Sequence, residues 1–138
     1  GAETVMDFLG KGTKYPFRFN ASGGVAISEG AGPEHAHIRE SIVQILSTRL
    51  GERFFLPEFG SRLPELVFQQ NDVVFKALAR QFVIDAIKRW EKRVVIESVE
   101  FSDDPLLTDR NVALIRLDYR IIRTQVRGNM VYPFVREV

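Results

Sequence analysis

The sequence predicts an α+β fold: a small antiparallel or mixed sheet packed against two main helices, with an N-terminal hairpin. Three observations predict it. Phe75, Leu78, Ala79, Phe82, Val83, Ala86, Ile87 and Trp90 recur at helical spacing through about four turns. Residues 111–123 alternate, with Ala113, Ile115, Leu117, Tyr119 and Ile121 on one side and Arg116, Asp118 and Arg120 on the other. Residues 15–20 and 25–28 flank Ser22-Gly23-Gly24, a turn suited to a hairpin.

The elements follow in order. Residues 1–14 read as a flexible arm, with one apolar patch at 5–9 and then Gly10-Lys11-Gly12. Residues 15–138 read as a single domain, because 138 residues that are 45% hydrophobic and 27% charged suit one core. Pro16 places the first hairpin strand at a sheet edge. The cluster 30–33 breaks the chain, and Pro33 and Glu34 suit a first helical turn by fixed φ and by the helix dipole. Ile38, Ile42, Ile45 and Leu46 give this helix one buried stripe, and Gly51 is expected to end it, with Arg49 near its negative end. Leu66, Val67 and Phe68 form one apolar turn. Asn71 or Asp72 caps the second helix, whose opposite face carries Lys76, Arg80, Asp85, Lys88 and Arg89. Residues 94–101 form a β-branched strand leading to an Asp103-Asp104-Pro105 turn. Gly128-Asn129 is expected to turn the chain into a last strand at 130–135. The resulting meander has one wet face and one face covered by the helices.

Composition excludes several functions. A net charge of +1 gives the whole molecule no strong pull toward nucleic acid or anionic membrane. With no cysteine there is no disulfide, thiolate zinc site or cysteine nucleophile, which fits a reducing cytoplasm. No apolar run approaches the roughly 20 residues of a membrane span, no signal segment opens the chain, and Gly1 reads as an expression scar. His35 and His37 project about 200° apart on a helix and so do not share a metal; they read as solvated. Gly10-Lys11-Gly12-Thr13 lacks the spacing of a phosphate loop. Glu52 with Glu58, or Asp103 with Asp104, could be glycosidase carboxylates, yet nothing sets either pair across a cleft. Lys88, Arg89, Lys92 and Arg93, and on the sheet Arg116, Arg120, Arg123 and Arg127, could track phosphates. Helix-dipole and cross-strand pairing explain them more simply.

The stretch 51–60 is too rich in Phe for a solvated loop and too broken by Pro and Gly for a regular element. Arg53 can reach free carbonyls at the helix end or clamp Glu58 in a bidentate pair. Gly51, Pro57 and Gly60 are structural turn positions, and the locked corner presents Phe59 and its neighbours to a partner.

The string Ser47-Thr48-Arg49-Leu50-Gly51-Glu52-Arg53-Phe54-Phe55-Leu56-Pro57-Glu58-Phe59-Gly60 resembles the signature of the gene product W-like family of contractile-tail baseplate wedge proteins. The resemblance extends to Gly10, Gly12, Tyr15-Pro16-Phe17, Gly23-Gly24, Ile38, Ser41-Ile42, Ile45-Leu46, Phe68, the long helix and the final strands. Type VI secretion baseplates have a member of this family, and members are often labelled tail lysozymes. The resemblance implies a structural wedge subunit that contacts a helical core bundle of larger wedge proteins and offers sheet edge, through its terminal strands, to sheath protein. It implies an oligomer only within that assembly. The family carries a Glu-Pro-Arg motif after the long helix. Here that place reads Glu91-Lys92-Arg93, so Glu91 and Arg93 would grip the core, while Lys92 leaves the helix free to run on. Glu91, Arg93, Arg53, Glu58 and Phe59 are therefore the expected partner-binding residues. No catalytic residue, metal, cofactor or nucleic-acid partner is expected. A peptidoglycan hydrolase is the competing reading.

Overall fold

The computed structural model describes residues 18–19 and 25–26 as backbone, and 32–102 and 111–137 with their side chains. In chain order these form β1 (Arg18–Phe19), β2 (Val25–Ala26), helix α1 (Pro33–Ser47), a 3-10 turn (Leu63–Phe68), helix α2 (Asp72–Trp90), β3 (Val94–Phe101), β4 (Val112–Ile121) and β5 (Arg127–Val135). The fold is α+β. The sheet runs β1-β2-β5-β4-β3 with every neighbouring pair antiparallel. The arm at 1–14, the Gly23-Gly24 turn and the Asp103-Asp104-Pro105 turn lie outside the described residues.

Helix α1 starts as its sequence dictates, with Gly32 at φ +109° before Pro33 and Glu34 in the first turn. Ile38, Ile42, Val43, Ile45 and Leu46 are all buried. It ends at Ser47, four residues before the expected Gly51. Thr48 leaves helical geometry at φ −87°, ψ 123°, and the Leu46 carbonyl, an acceptor the next turn would have used, takes the Ser61 hydroxyl at 3.1 Å. The hydroxyls of Ser47 and Thr48 donate back to the carbonyls of Val43 (2.7 Å) and Gln44 (2.6 Å).

Helix α2 is capped by Asn71, whose side-chain oxygen accepts from the Val74 N–H at 3.1 Å. Phe75, Ala79, Phe82, Val83, Ala86 and Ile87 are buried against the sheet and α1, while Leu78 stays 36% exposed. Phe75 stacks on Phe134 with centroids 5.6 Å apart and meets Phe101 edge-on at 6.1 Å, joining α2 to β5 and β3.

Strand β3 reads Val-Val-Ile-Glu-Ser-Val-Glu-Phe, with apolar residues at 94, 96, 99 and 101. Strict alternation would turn Val99 and Phe101 to solvent. The register slips by one residue between Ile96 and Ser98, so Glu97 is an extra residue that restores the phase. Glu97 then pairs with Arg120 (3.4 Å) and Arg127 (3.3 Å).

Gly128 is not in a turn. It lies within β5, opposite Tyr119, and the chain reverses earlier, where Gln125 takes the left-handed conformation at φ +63°. The glycine makes room instead. A Cβ there would lie 2.5 Å from the Tyr119 ring and 2.7 Å from His35 Nδ1. His35 is correspondingly buried, not solvated: its Nδ1 lies 2.7 Å from the Tyr119 hydroxyl, to which Arg39 also donates at 3.4 Å. Burial first, and then the charge of Arg39, hold the imidazole below its ordinary pKa against the opposing pull of Glu34. His35 and Tyr119 thus share one buried hydrogen bond while the Tyr119 hydroxyl also accepts from Arg39.

Gly128→Ala forces a methyl into the Tyr119 ring and should cost about 2–3 kcal/mol. Urea unfolding should show this as a lower midpoint with an unchanged slope.

Candidate functional site

Helix α2 stops at Trp90, although Lys92 carries no φ restriction. A side chain does the work expected of proline. Glu91 leaves helical geometry at φ −115°, ψ 85°. Its carboxylate then takes a fork from Arg93, with Nε to Oε1 and Nη2 to Oε2 both at 2.8 Å, and accepts the Arg93 backbone N–H at 3.2 Å. Ser41, a polar residue on the inward side of α1, adds to the downward pull on that carboxyl's pKa. One acidic group thereby joins the end of α2 to the start of β3.

The Glu91 side chain is 4% exposed and that of Arg93 47%. Burial pushes the carboxyl pKa up, but the hydrogen bonds from Arg93 and Ser41 and the charge of Arg93 outweigh it, so the net direction is down. The Arg93 pKa is raised in return, chiefly by its hydrogen bonds to Glu91. A guanidinium has five N–H donors, and the half-exposed Arg93 keeps part of its fork at the surface.

The second predicted corner, 51–60, is a closed loop tied across its neck. Ser61 N–H donates to the Thr48 carbonyl (2.9 Å), and the Ser61 hydroxyl to Leu46 (3.1 Å). Gly51 N–H donates to the Pro57 carbonyl at 2.7 Å, closing the loop from within. Gly51 and Gly60 have φ of +85° and +122°, and a Cβ on Gly60 would strike the Thr48 carbonyl.

The expected Arg53–Glu58 clamp is replaced by two other contacts. Arg53 stacks over Phe59 at 4.4 Å, and Glu58 pairs with Arg89 of α2 at 2.5 Å. Phe59 packs on Trp90 with centroids 5.2 Å apart. The loop is therefore pinned to the last turns of α2, which sequence spacing does not reveal because the contact spans 31 residues. The rigid loop holds Phe54 and Phe55 outward at 87% and 93% exposure.

The structure thus gathers Glu91, Arg93, Glu58 and Phe59 around the end of α2, and Arg53 reaches that group through Phe59. Ser41, Arg89 and Trp90 are the partners that sequence reading missed; Ser41 carried a signal, as a polar residue beside a buried stripe. The arginines offered as phosphate ligands are matched with carboxylates: Arg89–Glu58, Arg93–Glu91, Arg116–Asp118, Arg120–Glu97, Arg123–Glu34 and Arg127–Glu97. Among the described residues no group of three or more His, Asp or Glu could hold a metal. No described helix is long and apolar enough to cross a membrane.

Removing Arg93 leaves a buried carboxylate to face desolvation. Arg93→Ala should destabilise the fold by about 2–4 kcal/mol at pH 7. In the wild type the Glu91 contribution is complete above the ordinary value of 4.5 and is lost as pH falls through the lowered folded pKa. In Arg93→Ala burial dominates and the sign reverses, so the stability deficit against wild type should shrink below pH 4.5. Denaturant unfolding at pH 3–7 reads both effects.

A protein-family model described as baseplate wedge protein gp25 matches residues 33–126. The crystal structure of a "putative tail lysozyme" from Geobacter sulfurreducens superposes with a TM-score of 0.69 at 32% identity, covering 80% of this chain and 98% of that one. No curated protein matches the sequence.

Proposed function

The chain belongs to the baseplate wedge protein gp25 family, with the phage-tail-type structural role that membership carries, and from that premise we propose a specific wedge subunit. It is a non-enzymatic part of a contractile injection machine (a phage tail, a tailocin or a type VI secretion-like device) assembled in the cytoplasm. Glu91 and Arg93 grip the core formed by larger wedge proteins, and the sheet margin takes strands from sheath protein, templating sheath assembly.

The observation that carries this reading is the Glu91–Arg93 fork. It is pre-organised by burial of the carboxylate, yet its guanidinium remains half exposed. Such a group offers a partner planar donors without first having to be ordered. The loop supports the reading in the same way: Arg53, Glu58 and Phe59 hold it rigid, and its two outward Phe rings are anchors of the type found at the centres of interfaces.

Of the strands that close the chain, β3 is the one at an end of the sheet. Among the described residues β5, the C-terminal strand, lies between β2 and β4, and the sheet ends at β3 and β1. Sheath strands would therefore meet the sheet at one of those two.

The hydrolase reading draws on the name of the structural neighbour. A glycosidase acid is a desolvated carboxyl with a raised pKa. Glu58 is instead 69% exposed in an ion pair, and Glu91 is held below its ordinary value.

Co-purification with the wedge and sheath proteins encoded beside it tests the proposal. Arg93→Ala, confirmed folded by circular dichroism, should lose the wedge core by at least ten-fold; undiminished binding rejects the role of Arg93. Purified protein should leave peptidoglycan intact, and lysis that Glu58→Gln abolishes would replace the structural reading with the enzymatic one.

A further inference from the structure

A cleft of about 260 Å³ lies between α2 and the neck of the 51–60 loop. The side of α2 that carries Phe82, Asp85, Ala86 and Arg89 lines it, whereas Ile84, Ile87 and Lys88 face a different hollow. The floor is apolar: Phe82 and Ala86 are buried there, and Leu50 at the edge stays 40% exposed. Leu78, one turn before Phe82, continues the apolar strip along the helix and is also partly exposed.

Glu58, Arg62, Asp85 and Arg89 supply the charges of the cleft, and all but one are already answered. Arg62 donates to Glu65 at 3.3 Å and lies over the Phe82 ring. Arg89, one turn beyond Asp85, is drawn away to Glu58 and lies over Trp90. Asp85 is different. Its donor is the Gln81 amide at 2.7 Å, and among the described residues it pairs with no cation. Open to water, this carboxylate is hydrated at little cost. Beneath a partner it would lose that water, and a desolvated charge without enough donors is expensive. Whatever covers the cleft has to bring a cation to Asp85, while Arg62 and Arg89, each holding its own carboxylate, require no anion.

We propose that this cleft receives a segment of another protein that sets an aliphatic side chain on Phe82 and Ala86 and an arginine or lysine against Asp85. Burial of the aliphatic group supplies affinity. Asp85 supplies selection, because an acidic segment repels it and an uncharged one leaves it buried and unpaired. A second copy of the chain is a poor occupant. Its exposed apolar tip is Phe54 and Phe55, and the arginine beside them, Arg53, is folded back over Phe59. The contact is separate from the Glu91–Arg93 fork and from any pairing at the sheet, and it depends on neither.

Trp90 is the single tryptophan of the chain and lines the cleft, so its fluorescence reports occupancy. The probes are two short alanine-based peptides without tryptophan or tyrosine, each bearing a leucine and, one helical turn on, either arginine or glutamate. At low salt the arginine peptide should shift Trp90 emission and bind at least ten-fold more tightly than its twin. Asp85→Lys, confirmed folded by circular dichroism, should reverse the preference. Glu100→Lys, the same change of charge on β3, should leave it in place. Equal binding of the two peptides, an unmoved Trp90 signal at millimolar peptide, an unchanged preference in Asp85→Lys, or reversal by Glu100→Lys each overturns the inference. Sedimentation as a dimer that Asp85→Lys separates would give the cleft to a second copy and overturn it too. Co-purification with the wedge and sheath proteins is a separate measurement, so the cleft can fail while the wedge reading stands.

Discussion

The fold and its candidate site both depend on one buried carboxylate. Glu91 has to be compensated, because an ionised group taken out of water is costly unless its lone pairs are filled. Arg93 fills them with its side-chain fork and its backbone N–H. Filling them also ends α2 and sets where β3 begins. The loop at 51–60 inherits this placement, because its Phe59 and Glu58 rest on Trp90 and Arg89, directly before the buried acid. Tying a surface cation to an interior anion couples the shape of the exposed corner to the integrity of the core.

Elements that rest on periodicity were legible in the sequence. The stripe of Ile38, Ile42, Ile45 and Leu46, the run from Phe75 to Ile87 and the alternation in β4 follow from local spacing alone, and they bury as they read except that Leu78 stays exposed and Leu114 is buried as well. Boundaries were less legible where side chains compete with the backbone. Thr48 turns extended and Ser61 takes the Leu46 carbonyl, ending α1 early, and a carboxylate ends α2 without a proline. Gly128 was read as a turn residue because glycine serves both flexible reversals and tight spaces, and only the facing Tyr119 distinguishes the two. Of the candidate site, the pairing of Glu91 with Arg93 is local and was visible as a pair two residues apart. The pairing of Glu58 with Arg89 spans the loop-to-helix contact and was not.

Charge distribution explains how so many basic residues coexist with a nearly neutral surface. Glu97 alone, freed by the bulge, meets both Arg120 and Arg127. Glu34, at the start of α1, meets Arg123 beyond β4 at 2.7 Å. With these arginines paired to carboxylates, the field around the molecule is shaped by a few positions and not by its total charge.

The contact of His35 with Tyr119 has a bearing on how the chain comes into being. The partners are 84 residues apart, and Glu34 and Arg123 are 89 apart. During synthesis α1 emerges well before the hairpin that receives it, in which Gly128 gives Tyr119 its space. Closure of that long circuit is slow, because the entropy of bringing its ends together is lost before any contact repays it. Until then an apolar helix waits without its sheet. The growing polypeptide is consequently most prone to mispairing in the interval between these two events, and β5 is the strand that completes the core.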